Sequence, residues 1–433
     1  MDPIYIGYLG LILMLALIFF GVHLSFSMAA VGFIGLWYAK GFEFGAMQEA
    51  MLAWEKGADP VLMCIPLFIL MGQLIFQTKI VSDLFSCVRT WVGHLPGGLA
   101  VAGVVACALF GAVTGSAYAA AATMGVTIMP EFEKYGYSKR LSSGTIASAA
   151  SLSTIIPPSV GFVVYGILTE TSIAALFISG VIPGVALSLA FGIIIVAQCI
   201  RDPRVGPRGP VFPWKERFTS LTGMIPLLLL FLVVIGGIYG GVFTPTEAAG
   251  VGVVGVIGIA AAMGRMKWPI FKAAAKETAI LSTSIFFIIL AGYLISRFLV
   301  ITGTTKHMID YTIGIGMHPW ILALSIALLY VLMGCLMDSF GIAILTFPIL
   351  FPIVIAAGFE PIWFGAYATV LIAVGLISPP VGMNVFILHS VVPRISMKDM
   401  FIGVTPFAAV HFFVCLLMLP FPGIATWLPM TMQ

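Results

Sequence analysis

The chain of 433 residues is 61% hydrophobic and only 9% charged, with a mean hydropathy of +1.14. Soluble domains carry about a quarter charged residues, so this composition excludes an ordinary water-soluble enzyme and points to one polytopic membrane domain. The net charge of +3 says little about partners until it is placed by side, and nothing in the sequence points to nucleic acid.

Apolar runs long enough to cross a lipid bilayer recur along the whole length. In chain order, full spans are predicted near residues 4–22, 25–40, 61–77, 143–168 and 172–198. The first is read as retained, because Met1-Asp2 supplies no basic region of the kind that opens a signal peptide. A polar, basic linker follows from Arg201 to Arg217, rich in proline. Further spans are predicted near 221–242, 245–263, 279–299, 363–390 and 401–418. Amphipathic stretches near 45–56, 80–92, 268–277 and 304–313 read as interfacial.

Residues 98–130 and 320–352 behave differently. Each is apolar but is interrupted midway by a small polar cluster: Gly111, Thr114, Gly115 and Ser116 in one, Gly334, Asp338, Ser339 and Gly341 in the other. Backbone exposed by a mid-membrane break is tolerated only within protein or beside a watery cavity. Both segments are therefore read as re-entrant hairpins, the alternative being pairs of ordinary kinked spans.

The two halves repeat each other. Gly111, Ser116, Pro130, Gly136, Pro157 and Pro158 are matched in order by Gly334, Ser339, Pro352, Gly358, Pro379 and Pro380, at offsets of 222 or 223. Ile69 to Ile75 echoes Ile289 to Ile295. Five spans and one hairpin make an odd number of crossings, so the expected fold is all-α with two inverted repeats. These are residues 1–198 and 221–433, joined by a linker over 199–220. In this topology only Lys40, Lys56, Arg297 and Lys306 of the 20 Lys and Arg residues fall on one side. The side holding the rest is cytoplasmic by the positive-inside rule, so both termini are expected outside.

Four elements should converge: the two hairpin tips and two Pro-Pro breaks, at Ser151 to Ser159 and at Ile377 to Gly382. A Pro-Pro pair removes two backbone donors and disfavours helix before it. Freed carbonyls with nearby hydroxyls make a hard-oxygen cluster that suits sodium rather than a transition metal; the plainer reading is close helix packing by small residues. Asp338 is the acidic residue this topology buries deepest. It is either a carboxylate holding a cation or a protonated, hydrogen-bonded acid. Arg297, at a span's outer end, either faces an anionic substrate or snorkels to the interface. His389 and His411 read as structural. The six cysteines, Cys335 among them, are scattered without C-x-x-C spacing, which implies neither disulfide framework nor zinc site. There is no nucleophile elbow, P-loop, H-E-x-x-H or kinase signature. Neither an enzyme nor an ATP-driven pump is expected, and no cofactor beyond a coupling ion.

Several of these motifs resemble a known family. Gly111-Ala-Val-Thr-Gly-Ser-Ala117, Pro130, Gly136-Tyr137 and Ile155-Ile-Pro-Pro-Ser159 are similar to the large membrane subunit of tripartite ATP-independent periplasmic (TRAP) transporters. So are Gly334-x-x-x-Asp338, Pro348-Ile-Leu-Phe-Pro352 and Ile377-Ser-Pro-Pro-Val-Gly382, although a threonine would be expected at Ser378. The resemblance covers essentially the whole chain. It implies an elevator-type architecture shared with divalent-anion sodium symporters, placed in the bacterial inner membrane. It further implies sodium-coupled import of a small organic anion such as a dicarboxylate or a sialic-acid-like carboxylate. The expected partners are a periplasmic substrate-binding protein and a small four-helix membrane subunit, here a separate polypeptide. One sodium would lie among Thr114, Gly115, Ser116, Ser153, Thr154, Pro157 and Ser159. A second would lie among Gly334, Asp338, Ser339, Ile377, Ser378 and Pro379. A stand-alone symporter of the same architecture is the alternative.

Overall fold

In lipid, every backbone donor and acceptor must be paired within the protein, which drives apolar runs into helix. The computed structural model describes residues 2–78, 80–334 and 337–432, and the described residues form helices joined by turns and loops, with no strand among them. Lys79 and Cys335, which enter the charge and cysteine readings above, lie outside the described residues. Seven of the described helices are long and apolar enough to cross a membrane, and shorter apolar helices lie between them. The molecule is a multi-pass membrane protein.

The chain opens with α1 (Pro3–Phe19), α2 (Leu24–Lys40) and the amphipathic α3 (Phe42–Gly57). Asp2 starts α1 by accepting the Ile4 N–H, with Pro3 in the first turn. Then come α4 (Cys64–Gln77), α5 (Ile80–Val92) and the hairpin of α6 (Gly98–Thr114) and α7 (Ala117–Lys134). The stretch predicted as a span over 143–168 is a broken helix. It comprises α8 (Lys139–Ala150), a 3-10 turn over Ser151–Thr154 and α9 (Val160–Thr169). α10 (Ile173–Arg201) ends the first half.

After the linker follow α11 (Trp214–Tyr239) and α12 (Pro245–Ala262), the latter opened by a reciprocal capping box between Thr244 and Glu247. α13 (Trp268–Ile301) departs from expectation. The interfacial stretch at 268–277 and the span at 279–299 are one continuous helix of 34 residues, about 51 Å long at 1.5 Å per residue. Lys272, Lys276 and Glu277 are polar but good helix formers, and no proline intervenes after Pro269, so nothing ends the helix at the membrane boundary. The chain continues through α14 (Thr304–Gly314) and a second hairpin, α15 (Pro319–Gly334) and α16 (Ser339–Ala356). A second broken span follows, α17 (Pro361–Gly375) and α18 (Met383–Val391), then α19 (Met397–Leu417) and the short α20 (Gly423–Thr426).

Two groups of helices result. α2 and α4 lie along α13, with α1 on α2 and α12 on α4. In the other group, each hairpin packs its second arm on the broken span of the opposite half: α7 on α18, and α16 on α9. Leu388 of α18 covers the bare backbone of Gly125 in α7, and Tyr165 meets Phe347 edge-on with ring centroids 4.8 Å apart. Leu229, Leu232, Ile193, Val254 and Leu328 are exposed on the outer faces, as expected of a surface solvated by lipid.

The linker is tied to the base of the first hairpin. Gly97 N–H donates to Gly206 (3.1 Å), Ser138 N–H to Val205 (2.9 Å) and the Tyr137 hydroxyl to Pro207 (2.9 Å). Burial pushes the Tyr137 phenol up to about 12, so it stays a donor at any physiological pH. Four of the basic residues that the charge analysis assigns to one face form ion pairs: Arg89–Glu131, Arg265–Asp83, Arg140–Asp399 and Arg394–Glu133. Arg297 and Lys56, assigned to the other face, both lie beside Glu55.

Candidate functional site

The first tip is formed where α6 ends at Thr114. Gly115 turns the chain at φ +59°, a conformation that strongly favours glycine, and Ser116 caps α7 by accepting the Ala119 N–H at 3.3 Å. The tip leans on the first break: an added Cβ on Gly115 would lie 3.2 Å from the Val160 nitrogen and 3.5 Å from the Pro158 carbonyl oxygen. One turn earlier, Gly111 packs directly on Ser153. The structure thus brings together Thr114, Gly115, Ser116 and Ser153 with the Pro157-Pro158-Ser159 segment.

At this break the freed backbone is partly recaptured. The Ser159 hydroxyl donates to the Thr154 carbonyl (2.6 Å), and the Thr154 hydroxyl donates to the Ser151 carbonyl (2.8 Å). Both hydroxyl oxygens keep lone pairs for a further ligand. The Thr114 and Ser153 hydroxyls are buried without a hydrogen-bond partner among the described residues. A buried hydroxyl without a hydrogen bond costs about 1–3 kcal/mol, and two of them lie at this one tip–break contact. Pro157 is buried beside them.

The second tip is built on Asp338. Its carboxylate caps α16, accepting from the Phe340 N–H (3.1 Å) and the Gly341 N–H (3.3 Å), and Ser339 is the first helical residue. The half-buried charge therefore has a protein partner, the N-terminus of α16. The sequence reading considered only a cation or a proton for that role. Gly334 packs backbone to backbone on Gly375, bringing the hairpin against α17 just before its break. There Ile377 is fully buried and the Ser378 hydroxyl donates to Val374 (2.8 Å), while Pro379 is exposed. Pro157-Pro158 and Pro379-Pro380 are both cis.

Near the second tip lies a residue the motif analysis passed over. Tyr118, in the first turn of α7, sets its buried hydroxyl beside the backbone of Ser339 and near Asp338. Beside the first tip lies a cavity of about 250 Å³. Thr114, Ser116 and Thr123 line it from the first hairpin, Phe340 from the second, and Gln73 and Ile285 from α4 and α13. No charged side chain lines it among the described residues. Gln73 was visible in the sequence as the polar residue within the Ile69 to Ile75 echo; its inward direction was not.

Arg297 is elsewhere. Its guanidinium donates to Gln48 Oε1 (3.0 Å) and lies 3.9 Å from Glu55, on amphipathic α3, and it does not line the cavity. His389 hydrogen-bonds the Ile395 carbonyl, and His411 is buried against Phe191.

A family description, the DctM component of the tripartite ATP-independent periplasmic transporter, matches residues 11–424. The C4-dicarboxylate TRAP transporter large permease of Pseudomonas aeruginosa is 32% identical over 381 residues, 88% of this chain and 87% of that protein. The sialic acid TRAP large permease of Vibrio cholerae is 30% identical, with 96% of both chains covered. The ectoine TRAP large permease of Halomonas elongata is 29% identical, covering 96% of this chain and 97% of that one. Among solved structures, the YdaH transporter of Alcanivorax borkumensis shares the fold, with a TM-score of 0.63 over 90% of this chain and 88% of that one at 13% identity. With hairpin tips, Pro-Pro breaks and the family match running together over nearly its whole length, this chain belongs to the DctM-component family of tripartite ATP-independent periplasmic transporters, the large permeases.

Proposed function

We propose that the chain is the permease of a sodium-coupled secondary transporter that imports a small organic acid anion across the bacterial inner membrane. The observation that carries this reading is the cavity beside the first hairpin tip, flanked by buried oxygens and, among the described residues, free of charged side chains. A carboxylate entering it would find no basic partner among the described residues, and an unpaired buried charge is strongly unfavourable. Cations at the neighbouring oxygen clusters would offset that charge, so ion and anion occupancy become mutually dependent. Thr114, Ser116, Ser153, Thr154 and Ser159 form the first candidate cluster, and Asp338, Ser339 and Ser378 the core of the second. Dicarboxylates and sialic acids, named for two of the relatives, are the first substrates to test.

The same reading makes the halves inverted repeats, supported by the 222–223 residue offsets and by the reciprocal packing of α7 on α18 and α16 on α9. It places both termini in the periplasm and the linker in the cytoplasm, supported by the charge asymmetry. A small membrane subunit and a periplasmic binding protein complete the system. The test is uptake by proteoliposomes holding both membrane subunits, with the cognate binding protein outside. Uptake should require an inward sodium gradient and the binding protein; equal uptake with choline in place of sodium would overturn the coupling.

A further inference from the structure

Asn384 opens α18 just past the second break and is fully buried. Its side chain reaches into the other half of the protein: Nδ2 donates to the Ala147 carbonyl in the last turn of α8, at 3.1 Å. That carbonyl is available because α8 tightens there. The Ser151 N–H, which a continuing α-helix would direct at Ala147, turns instead to Ser148 and Ala149. The Asn384 backbone N–H donates to the Leu376 carbonyl (3.1 Å), bridging the second break. One residue therefore holds a carbonyl released by the first break and closes the second.

The other end of the amide is unusual. Nδ2 on Ala147 fixes the orientation of the group, and Oδ1 is then buried with no hydrogen-bond partner among the described residues. Packing alone would be served as well by leucine, of similar size and without the desolvation cost of an unmade acceptor. An amide at this position is accounted for by the link it makes.

We infer that Asn384 is a positioning residue that couples the two broken helices, so that filling the oxygen cluster at one break raises cation affinity at the other. This rests on the sodium-coupled reading above. A cation drawn to Ser153 and Thr154 shifts the 3-10 turn and with it the Ala147 carbonyl; Asn384 transmits that shift to the Leu376–Gly382 segment. Coupling of this kind is reciprocal.

The experiment is a sodium titration of uptake by the reconstituted complex for wild type, Asn384→Leu, Asn384→Asp and Tyr367→Phe. Asn384→Asp keeps the shape but loses the donor. Tyr367→Phe deletes another buried hydrogen bond, to Ala323, that does not join the breaks. Wild type and Tyr367→Phe should show cooperative sodium dependence, with a Hill coefficient approaching about 2 for two coupled sites. Both Asn384 variants should fall towards 1 and need several-fold more sodium, with uptake recovering at saturation. As a readout that needs no variant, hydrogen exchange of the wild-type complex should show the 147–159 and 376–384 segments becoming protected over one common sodium range. A sodium-dependent wild type whose cooperativity survives in Asn384→Leu, or protection of the two segments at well-separated sodium concentrations, overturns this inference alone. A sodium-independent wild type overturns the coupling reading and this inference together.

Discussion

Gly111 lies so close to Ser153 that a single methyl group on it would overlap the serine side chain. The first hairpin can seat against its break only because position 111 has no Cβ. Gly111→Ala should therefore force the tip away from Ser153, at a cost of about 1–3 kcal/mol typical of overpacking. Gly250, with open space around it on α12, is the control. There alanine should be neutral or stabilise by up to about 1 kcal/mol, as for a helix interior. Thermal unfolding in detergent and uptake should both distinguish the two; an unperturbed Gly111→Ala transporter would mean the contact is not maintained in the working protein.

Asp338 combines a structural task with the proposed ionic one, and the two can be separated. Asparagine is as good an N-cap as aspartate, so Asp338→Asn should keep the start of α16 and the amount of folded protein in the membrane. What it loses is the charge. Hydrogen bonds and contacts to charged groups are worth about 1.5–3 kcal/mol, so the sodium requirement should rise at least about tenfold. Ser116→Ala removes one neutral oxygen and should shift the curve less. The measurement is a sodium titration of uptake at matched expression. Wild-type sodium dependence in Asp338→Asn would leave Asp338 with its capping role alone.

Orientation can be tested without transport. In an otherwise cysteine-free protein, Arg208→Cys in the exposed linker should resist an impermeant thiol reagent added outside spheroplasts and react once they are opened. Lys306→Cys, exposed on the opposite face, should label from outside. The reverse pattern would invert the topology.

Arg297 should contribute little to substrate affinity. It is 44% exposed and bound to Gln48 and Glu55, away from the tip cavity. Exposed pairs of this kind are worth about 0–1 kcal/mol. Arg297→Ala should unfold within that margin of wild type and keep its half-saturating substrate concentration. An increase of about tenfold, equivalent to roughly 1.4 kcal/mol, would return Arg297 to the substrate path.

Membrane class and the positions of the breaks were legible in the sequence because their causes are local. Charge is scarce everywhere, Pro157-Pro158 and Pro379-Pro380 disrupt the helices that contain them, and Gly115 ends α6 through its own backbone freedom. Helix extent was less legible: charged residues at 272–277 looked like an interface, yet α13 runs through them, because polarity marks a change of solvent rather than the end of a helix. Other features were decided only by tertiary structure. Asp338 found its partner in the amides of α16, Arg297 was captured by α3, Gln73 turned towards the tips, and Asn384 met a carbonyl 237 positions away in the chain. Each depends on which elements pack side by side. Local pattern does not encode that, since the direction of a side chain on a helix that is apolar all round is set only by its neighbours.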